Sequence, residues 1–356
     1  MKYNLYFTGD TLLKTKNEAH SVFENVGSIF NDSDLTLINL ETVVSDKIFE
    51  ENHKDVNICC SKNDLKSLDK IKCNIVNIAN NHILDYKEDG LKNTILNLKE
   101  MNINYIGVKD SNILIKEIDN IKIAFIGVYE KNINSNNKVK IDYLNKNLYK
   151  DIRQISGQVD FVIVNIHWGV EFSKLPKPKQ RKISHKLIDC GASLIIGHHP
   201  HIIQGKEIYK GKNIYYSLGN FNFFKTNREF DTDDNKGIVV KCEIDKSKKD
   251  IRVSEIPIYI DENWTPNEGS EEIRKIFINR SEKIEEMGIF EFYEDIAEIY
   301  FKNNYDAWRN RIKKYGIKQF FLMIIWTVLK PFNYICLLGL GIKRFKKLKK
   351  EIQYEK

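Results

Sequence analysis

The sequence predicts an α/β layered domain with a largely parallel or mixed sheet, extended by a charged helical region and a membrane-associating tail. Three observations predict it. Over the first two-thirds of the 356 residues, short β-branched apolar runs alternate with helix-length amphipathic stretches. Near Gly205 the rhythm changes to hairpin-like pairs, which signals an antiparallel flank. From Phe301 onward the chain carries an excess charge of +11, which leaves −4 for the rest of a chain whose net charge is +7.

The expected strands, in order, are Leu5–Thr8, Leu35–Leu40, Ile75–Ala79, Lys122–Ile126, Phe161–Ile166 and Leu194–Ile196. Helical spacing of apolar residues falls between them, over Glu18–Asn31, Asn63–Lys72, Tyr86–Met101 and Pro178–Cys190. The later hairpins are expected at a Gly211-Lys212-Asn213 turn and over Gly237–Ile244 with Arg252–Ile260. Three regions result: an α/β domain over 1–262, a charged helical region over 263–316, and an apolar and basic tail over 317–356. There is no internal repeat and no low-complexity linker.

Composition narrows the function. At 42% hydrophobic and 29% charged residues, the chain is an ordinary folded protein, not a disordered, collagen-like or polytopic membrane one. Cys59, Cys60, Cys73, Cys190, Cys242 and Cys336 form no CxxC pair, so no disulfide framework or structural zinc site is expected and a reducing compartment fits. A mildly acidic body argues against nucleic acid as a partner. The few apolar residues before Thr8-Gly9-Asp10 are too short for a secretory leader, so no signal peptide is expected.

Polar residues cluster just past the carboxyl ends of the expected strands. These are Gly9-Asp10; Asn39 and Glu41; Asn80-Asn81-His82 with Asp85; His167-Trp168-Gly169 with Glu171; Gly197-His198-His199-Pro200-His201 with Gln204; and Gly219-Asn220-Phe221. In an open α/β sheet such ends share one edge, where ligand crevices form. Five of the eight histidines sit there, and imidazole, carboxylate and amide oxygen together suit Mn, Zn or Fe better than Mg or Ca. Taken singly each has a plainer use. Asp10 could cap a helix, Asn80-Asn81 and Gly219-Asn220 could be turns, and His167 could be a hydrogen-bonded core residue. Their conjunction at successive strand ends favours a metal-centred site. His20, His53 and His185 lie elsewhere and read as surface or helix residues.

This ordered set, completed by Asn39-Leu40-Glu41 and Tyr216-Ser217-Leu218-Gly219-Asn220-Phe221, resembles the CapA family over roughly residues 3–260. That family is named for capsule or poly-gamma-glutamate synthesis and has a metallophosphatase-like, calcineurin-type phosphoesterase fold. The resemblance implies a metallophosphatase-like layered α/β sandwich with mixed sheets, holding one or two divalent ions per chain. It implies Asp10 and His201 on one metal, Glu41 as the bridge, and Asn81, His167 and His199 on the second. His82 would be the general acid or transition-state stabiliser, and Asn39, Asp85, Glu171 and Asn220 would orient imidazoles or water. Two positions depart from the phosphoesterase pattern. Leu12 stands where its first motif carries a histidine, and Glu41 replaces the usual bridging aspartate.

In the tail, Phe320–Leu329 and Phe332–Ile342 are apolar, split by Lys330-Pro331. The whole stretch of about 23 residues, Lys330-Pro331 included, exceeds the roughly 20 needed to span a bilayer. A mid-membrane lysine costs about 2.5–3.5 kcal/mol, however, and basic clusters flank both sides. An in-plane or re-entrant element on an anionic membrane surface, at the cytoplasmic face, is therefore expected ahead of a span or a buried helix. The expected function is that of a CapA-like metal-dependent hydrolase, acting on a phosphoester or related bond in synthesis or processing of a capsular or cell-surface polymer. The alternative is a non-catalytic metal-binding accessory subunit that partners polymer synthase or export proteins. A soluble cytosolic phosphoesterase is the third reading, disfavoured by the tail.

Overall fold

Runs that are apolar on both faces make strands that must be covered on both sides, and the chain builds two such sheets. The computed structural model describes residues 2–16, 21–52, 56–109, 113–134, 138–223, 233–245 and 250–288, with 291–292, 295–296 and 299 beyond them. Met1–Thr226 with Thr232–Glu285 form one compact unit. The other, Asn227–Asp231 with Glu286–Lys356, lies almost wholly outside the described residues, and so does the expected tail.

In chain order the strands are β1 (Lys2–Thr11), β2 (Leu35–Leu40), β3 (Val43–Val44), β4 (Cys59–Cys60), β5 (Cys73–Asn77), β6 (Asn104–Ile106), β7 (Ile113–Ile118) and β8 (Ile121–Tyr129). They continue as β9 (Phe161–His167), β10 (Leu194–His198), β11 (Lys206–Tyr209), β12 (Lys212–Tyr215), β13 (Asn220–Asn222), β14 (Lys236–Asp245), β15 (Asp250–Ile260) and β16 (Pro266–Glu268). The helices are α1 (Lys87–Glu100), α2 (Lys146–Ser156), α3 (Pro178–Asp189) and α4 (Glu271–Glu286). The first sheet runs β16-β15-β14-β1-β2-β5-β6, with β13 also paired to β1, and the second runs β11-β12-β10-β9-β8-β7. Both are mixed. Strands β1, β2, β5 and β6 are parallel, and β14 to β16 form the antiparallel flank.

Alternation along the strands sorts the core into layers. Leu5, Phe7, Leu35, Leu37 and Ile75 of the first sheet meet Ile123, Phe125, Phe161, Ile163, Leu194 and Ile196 of the second in the middle. On the outer face of the first sheet, Ile38, Leu40 and Val76 pack under Leu91 and Leu98 of α1. On the outer face of the second, Val162, Val164 and Ile166 pack under α2 and α3. The result is the layered α/β sandwich with mixed sheets that the sequence predicts. The charged region expected to be helical over 263–316 begins instead with β16, which pairs β15, and its helix α4 adds Ile273 and Phe277 to the middle layer. Its buried Arg280 donates from Nη1 to the Ile203 carbonyl at 2.6 Å and ion-pairs with Asp233. No helix among the described residues is long and apolar enough to cross a membrane.

Local expectations hold where tertiary packing does not compete with them. Leu35–Leu40 is β2 as expected, and α1 and α3 fall within a residue of their expected limits. Glu18–Asn31 is different: residues 21–31 form turns and one 3₁₀ turn, Gly27–Phe30. Phe23 and Phe30 are held by ring contacts to Phe221 at 5.2 and 6.0 Å, and Val22, Val26 and Gly27 are weak helix formers. Asn63–Lys72 is likewise helical but 3₁₀, over Lys62–Ile71, opened by a Ser61–Asp64 capping box. The first hairpin turns at Lys210-Gly211, both at positive φ, so Lys212 and Asn213 belong to β12. Helix α2 and the short strands β3, β4, β6 and β7 are found only in the structure.

Candidate metal centre

Register brings the polar strand ends together. Across the first sheet Asn220, Asp10, Asn39 and Asn77 are paired in one row over β13, β1, β2 and β5. Across the second, His198 pairs His167, which pairs Tyr129. A break in regular register between Phe7 and Asp10 lies in β1; such a bulge re-aims the side chain that follows it. It is accompanied by a close approach of backbones. Asp10 N donates to Gly219 O at 3.0 Å, and a Cβ on Gly9 would stand only 2.1 Å from that same oxygen. Only glycine fits there, so the Gly9-Asp10 pair is a packing requirement before it is a chemical one.

Two groups of ligand-type atoms result, each with all its atoms within 4.8 Å: Asp10, Glu41 and His201, and Glu41, His167 and His199. Glu41 belongs to both. Its Oε1 lies 3.4 Å from His167 Nε2, 3.8 Å from His201 Nε2 and 3.9 Å from His82 Nε2. Asn81 Oδ1 is 2.5 Å from His167 Nε2, so the amide completes the second group. Asp10 Oδ1 accepts from Asn39 Nδ2 at 2.7 Å, and Oδ2 accepts from the His199 backbone at 3.1 Å and faces His201 Nδ1 at 3.3 Å.

The residues fit a divalent ion. Neither oxygen of Glu41 has a hydrogen-bond partner although the residue is fully buried, and the buried Nδ1 of His199 has none either. Unpaired buried polar atoms are rare in folded proteins, and here they converge with imidazole nitrogens, a donor set for a borderline cation. The tautomer of His201 agrees. Asn220 Nδ2 donates to the Asp234 carbonyl at 2.7 Å, so its Oδ1 must accept from His201 Nδ1 at 3.0 Å. In neutral His201 that leaves the Nε2 lone pair toward Glu41.

Electrostatics follows from burial and neighbours. Burial first, then the charges of Asp10, Glu171 and Asp85, push the Glu41 carboxyl well above the usual range. Burial also opposes ionisation of Asp10, but the hydrogen bond and charge of His201, with His198 and the His199 backbone, hold its carboxyl below the usual range. Burial pulls His198 to about 4 and, with the charge of His201, His199 to about 3. His167 falls well below the ordinary imidazole value, through burial and then the neighbouring histidines. For His201 burial also works downward, and the Asp10 hydrogen bond and charge outweigh it, so its value is raised.

His82 stands apart from the ligand groups. Its Nδ1 meets Asp85 Oδ2 at 2.7 Å, the same oxygen accepts the Ile58 N–H at 2.8 Å, and its Nε2 points toward Glu41. A histidine held by a carboxylate on one nitrogen, with the other aimed at the centre, can give or take a proton there. The rings of Phe223 and Phe172 lie 4.4 and 6.0 Å from His201, and Leu12 packs with Ile58 and Phe223.

The structure thus gathers Asp10, Glu41, Asn81, His82, His167, His199 and His201, with Asn39, Asp85 and Asn220 bonded to them. Glu171 stands exposed and acts on Glu41 and His201 through charge, with no hydrogen bond to another site residue among the described residues. His185 lies on α3, bonded to Glu207 at 2.8 Å and stacked on Tyr209. His20 and His53 lie outside the described residues. Sequence reasoning placed His198 and Asn80 among the strand-end polar residues but gave them no role, and it passed over Asn77; His198 Nδ1 is 3.6 Å from Asp10 Oδ1. The signal for His198 was alternation: Leu194 and Ile196 face the middle layer, and His198 continues that face. Asn80 donates from Nδ2 to the Leu40 carbonyl and accepts the His82 N–H, which ties the histidine's loop to β2.

A family model described as bacterial capsule synthesis protein PGA_cap matches residues 4–225. The PGA biosynthesis protein CapA of Bacillus subtilis (strain 168) is 30% identical over 217 residues, covering 58% of this chain and 57% of that protein. The capsule biosynthesis protein CapA of Bacillus anthracis is 31% identical over 219 residues, covering 57% and 53%. The chain spans just over half the length of these curated relatives. Among solved structures, a phosphatase of Mycoplasma pneumoniae overlays 77% of this chain and 97% of its own, with 14% identity and a TM-score of 0.46.

Proposed function

Since the chain belongs to the bacterial capsule synthesis protein PGA_cap family, we propose that it is a metal-dependent hydrolase that cleaves a phosphoester or related bond in making or processing a cell-surface polymer. What carries the reading is Glu41: a fully buried carboxylate with both oxygens unpartnered, common to two ligand groups. Asp10, Glu41 and His201 would hold one ion, and Glu41, Asn81, His167 and His199 a second. A bound divalent ion supplies Lewis acidity and lowers the pKa of water.

The chain's own groups do the rest. His82 delivers a proton from Nε2 to the leaving oxygen, and Asp85 fixes its ring by accepting at Nδ1. Asn39, Asn220 and the His199 backbone hold Asp10 and His201 in place. Phe172 and Phe223 keep water from the side of His201.

Purified full-length protein is expected to contain about one or two Mn, Zn or Fe ions per chain by elemental analysis, and to turn over a generic aryl phosphoester or phosphodiester. His199→Ala with His201→Ala should remove the ions and leave the circular dichroism spectrum near wild type. Folded wild-type protein that takes up none of these ions on titration would end the reading.

One observation favours a second reading, a metal-binding accessory subunit of a synthase or export complex. Leu12 is buried against Ile58 and Phe223 where the phosphoesterase pattern has a histidine, so the Asp10 group has one ligand fewer. Retained ions without turnover of any phosphoester select this reading.

The tail, 317–356, would attach the protein to an anionic membrane from the cytoplasmic side without crossing it. Apolar burial of Phe320–Leu329 supplies binding that salt does not screen. The six basic residues between Lys343 and Lys350 add roughly 1 kcal/mol each near anionic lipid. The full chain should pellet with membranes and resist high salt, and a cysteine added after Lys356 should stay closed to impermeant reagents on intact cells. Labelling of that cysteine would mean a spanning segment.

A further inference from the structure

We propose that Arg280, on α4, is a positioning residue for the metal centre: it fixes the turn that carries His199 and His201, and with it one ligand of each group. That turn does not hold itself. His199 and His201 have φ of 98° and 59°, in the left-handed region that residues other than glycine avoid. Such backbone persists where the surroundings over-determine it. Four carbonyls along this segment are taken by donors from elsewhere in the fold. Trp168 N donates to His198 O at 3.0 Å, Phe172 N to Pro200 O at 2.8 Å, and Ser217 Oγ to Ile202 O at 2.8 Å. The fourth, Ile203 O, accepts from Arg280 Nη1 at 2.6 Å. Of these donors Arg280 is the charged one, and a charge-assisted bond is the stronger kind.

Its second arm reaches His201 by another route. Arg280 Nη2 ion-pairs with Asp233, which opens the 3₁₀ turn Asp233–Asn235 and also accepts from Lys236 Nζ at 2.7 Å. The next carbonyl, Asp234 O, accepts from Asn220 Nδ2 at 2.7 Å, and Asn220 Oδ1 lies 3.0 Å from His201 Nδ1. One guanidinium therefore ties the chain two residues past His201 to the turn that holds its ring partner. A planar fork with fixed donors can do this; a single ammonium cannot.

The backbone of α4 adds to the contact. Lys206 N donates to Ser281 Oγ at 3.0 Å, and a Cβ on Gly205, whose φ is 79°, would stand 2.5 Å from Ser281 N. Arg280 is itself buried. A buried ion pair gains little stability over apolar packing, so its worth here lies in where it holds the loop. Helix α4 lies beyond residues 4–225, which the family model matches, so the charged region completes the centre rather than merely following it. The brace stands on geometry alone; its consequence for metal binding rests on the reading given under the proposed function.

The test uses full-length protein and two measurements. Arg280→Met removes both donors at similar length. In metal-free protein the peptide covering 199–206 should then exchange its amide hydrogens faster than in wild type. Mn(II) should bind about 10–100-fold more weakly, as on loss of groups that orient ligands. Ile284→Ala is the control. Ile284 is fully buried one turn further along α4 and packs in the outer layer of the second sheet, so its loss weakens the same helix without cutting a bond to the turn. It should leave exchange over 199–206 and Mn(II) affinity as in wild type, even where its Tm falls as far. Arg280→Lys keeps the buried charge and serves if Arg280→Met does not fold; it should show the same two changes in smaller measure.

Exchange and Mn(II) affinity in the Arg280 variants that match Ile284→Ala overturn the proposal. So does faster exchange with wild-type affinity, which would make the arginine a structural tie alone. Wild-type protein that binds no Mn(II) ends the metal-centre reading, and the exchange comparison then decides by itself whether Arg280 holds the turn.

Discussion

Glu41→Gln is expected to strip the protein of metal and, in the metal-free state, to make it more stable. Both effects come from one fact: a carboxylate shared by two ligand groups is buried with neither oxygen hydrogen-bonded. With no cation present, burial and the charges of Asp10, Glu171 and Asp85 keep the Glu41 proton on to well above the usual carboxylate range. A group whose folded-state pKa is raised stabilises fully below its unfolded value, here near 4.5, and loses that contribution as pH climbs through the folded value. Metal-free wild type should therefore weaken as pH rises from about 5 to 8 relative to Glu41→Gln, which has no proton to lose. Thermal unfolding in chelator at both pH values should show the variant ahead by a few degrees at pH 8 and the gap closing at pH 5. Elemental analysis of the same variant should read background. Wild-type metal content in Glu41→Gln would remove the shared carboxylate from the centre. A variant less stable than wild type at pH 8 would show that the burial cost is already relieved by something other than an ion.

Adjacent residues should fail in different ways. Asn81→Ala is expected to lose the ion of the Glu41–His167–His199 group, because Asn81 Oδ1 is in direct contact with His167 Nε2. His82→Ala should keep its metal and lose turnover by about 10²–10⁴-fold, the usual worth of a placed general acid. The geometry separates them: His82 is tied to Asp85 at 2.7 Å and approaches Glu41 no closer than 3.9 Å. Metal content and kcat measured on both variants decide the matter. If both lose metal equally, His82 belongs among the ligands and the proton donor lies elsewhere.

Much of the centre was legible because strand ends are local features. A period of two with an apolar run says where a strand stops, and residues such as Glu41 and His201 stand just beyond. Phosphoesterase-like motifs then pointed to roles for Asp10, Glu41, Asn81, His167, His199 and His201 before any distance was known. Asn77 was not legible. It stands inside β5, where the expected strand ran on to Ala79, and an asparagine within an apolar run reads as a blemish until its partner Asn39 is known. His198 was hidden differently, as one of three histidines in four residues of which the motif claims only two. The segment 21–31 has helical spacing but no helix, since Phe23 and Phe30 are claimed by Phe221, about two hundred residues away.

The sequence by itself determined the alternation of strands and helices, the antiparallel flank, the residues at each strand end, and hence the chemistry on offer: carboxylates, imidazoles and amides of the type that bind a borderline divalent ion. Each of these is set by neighbours within a few positions, through side-chain periodicity and turn chemistry. Only the tertiary structure decided which of those groups meet. Asp10 faces the centre after a register break whose close contact is Gly219, two hundred residues on. His167 meets an asparagine of the opposite sheet, Asn39, which is itself bonded to Asn77 of the next strand. The physical reason is that hydrogen-bond direction and burial belong to pairs of groups, and those pairs exist only once two sheets have closed over one dry layer.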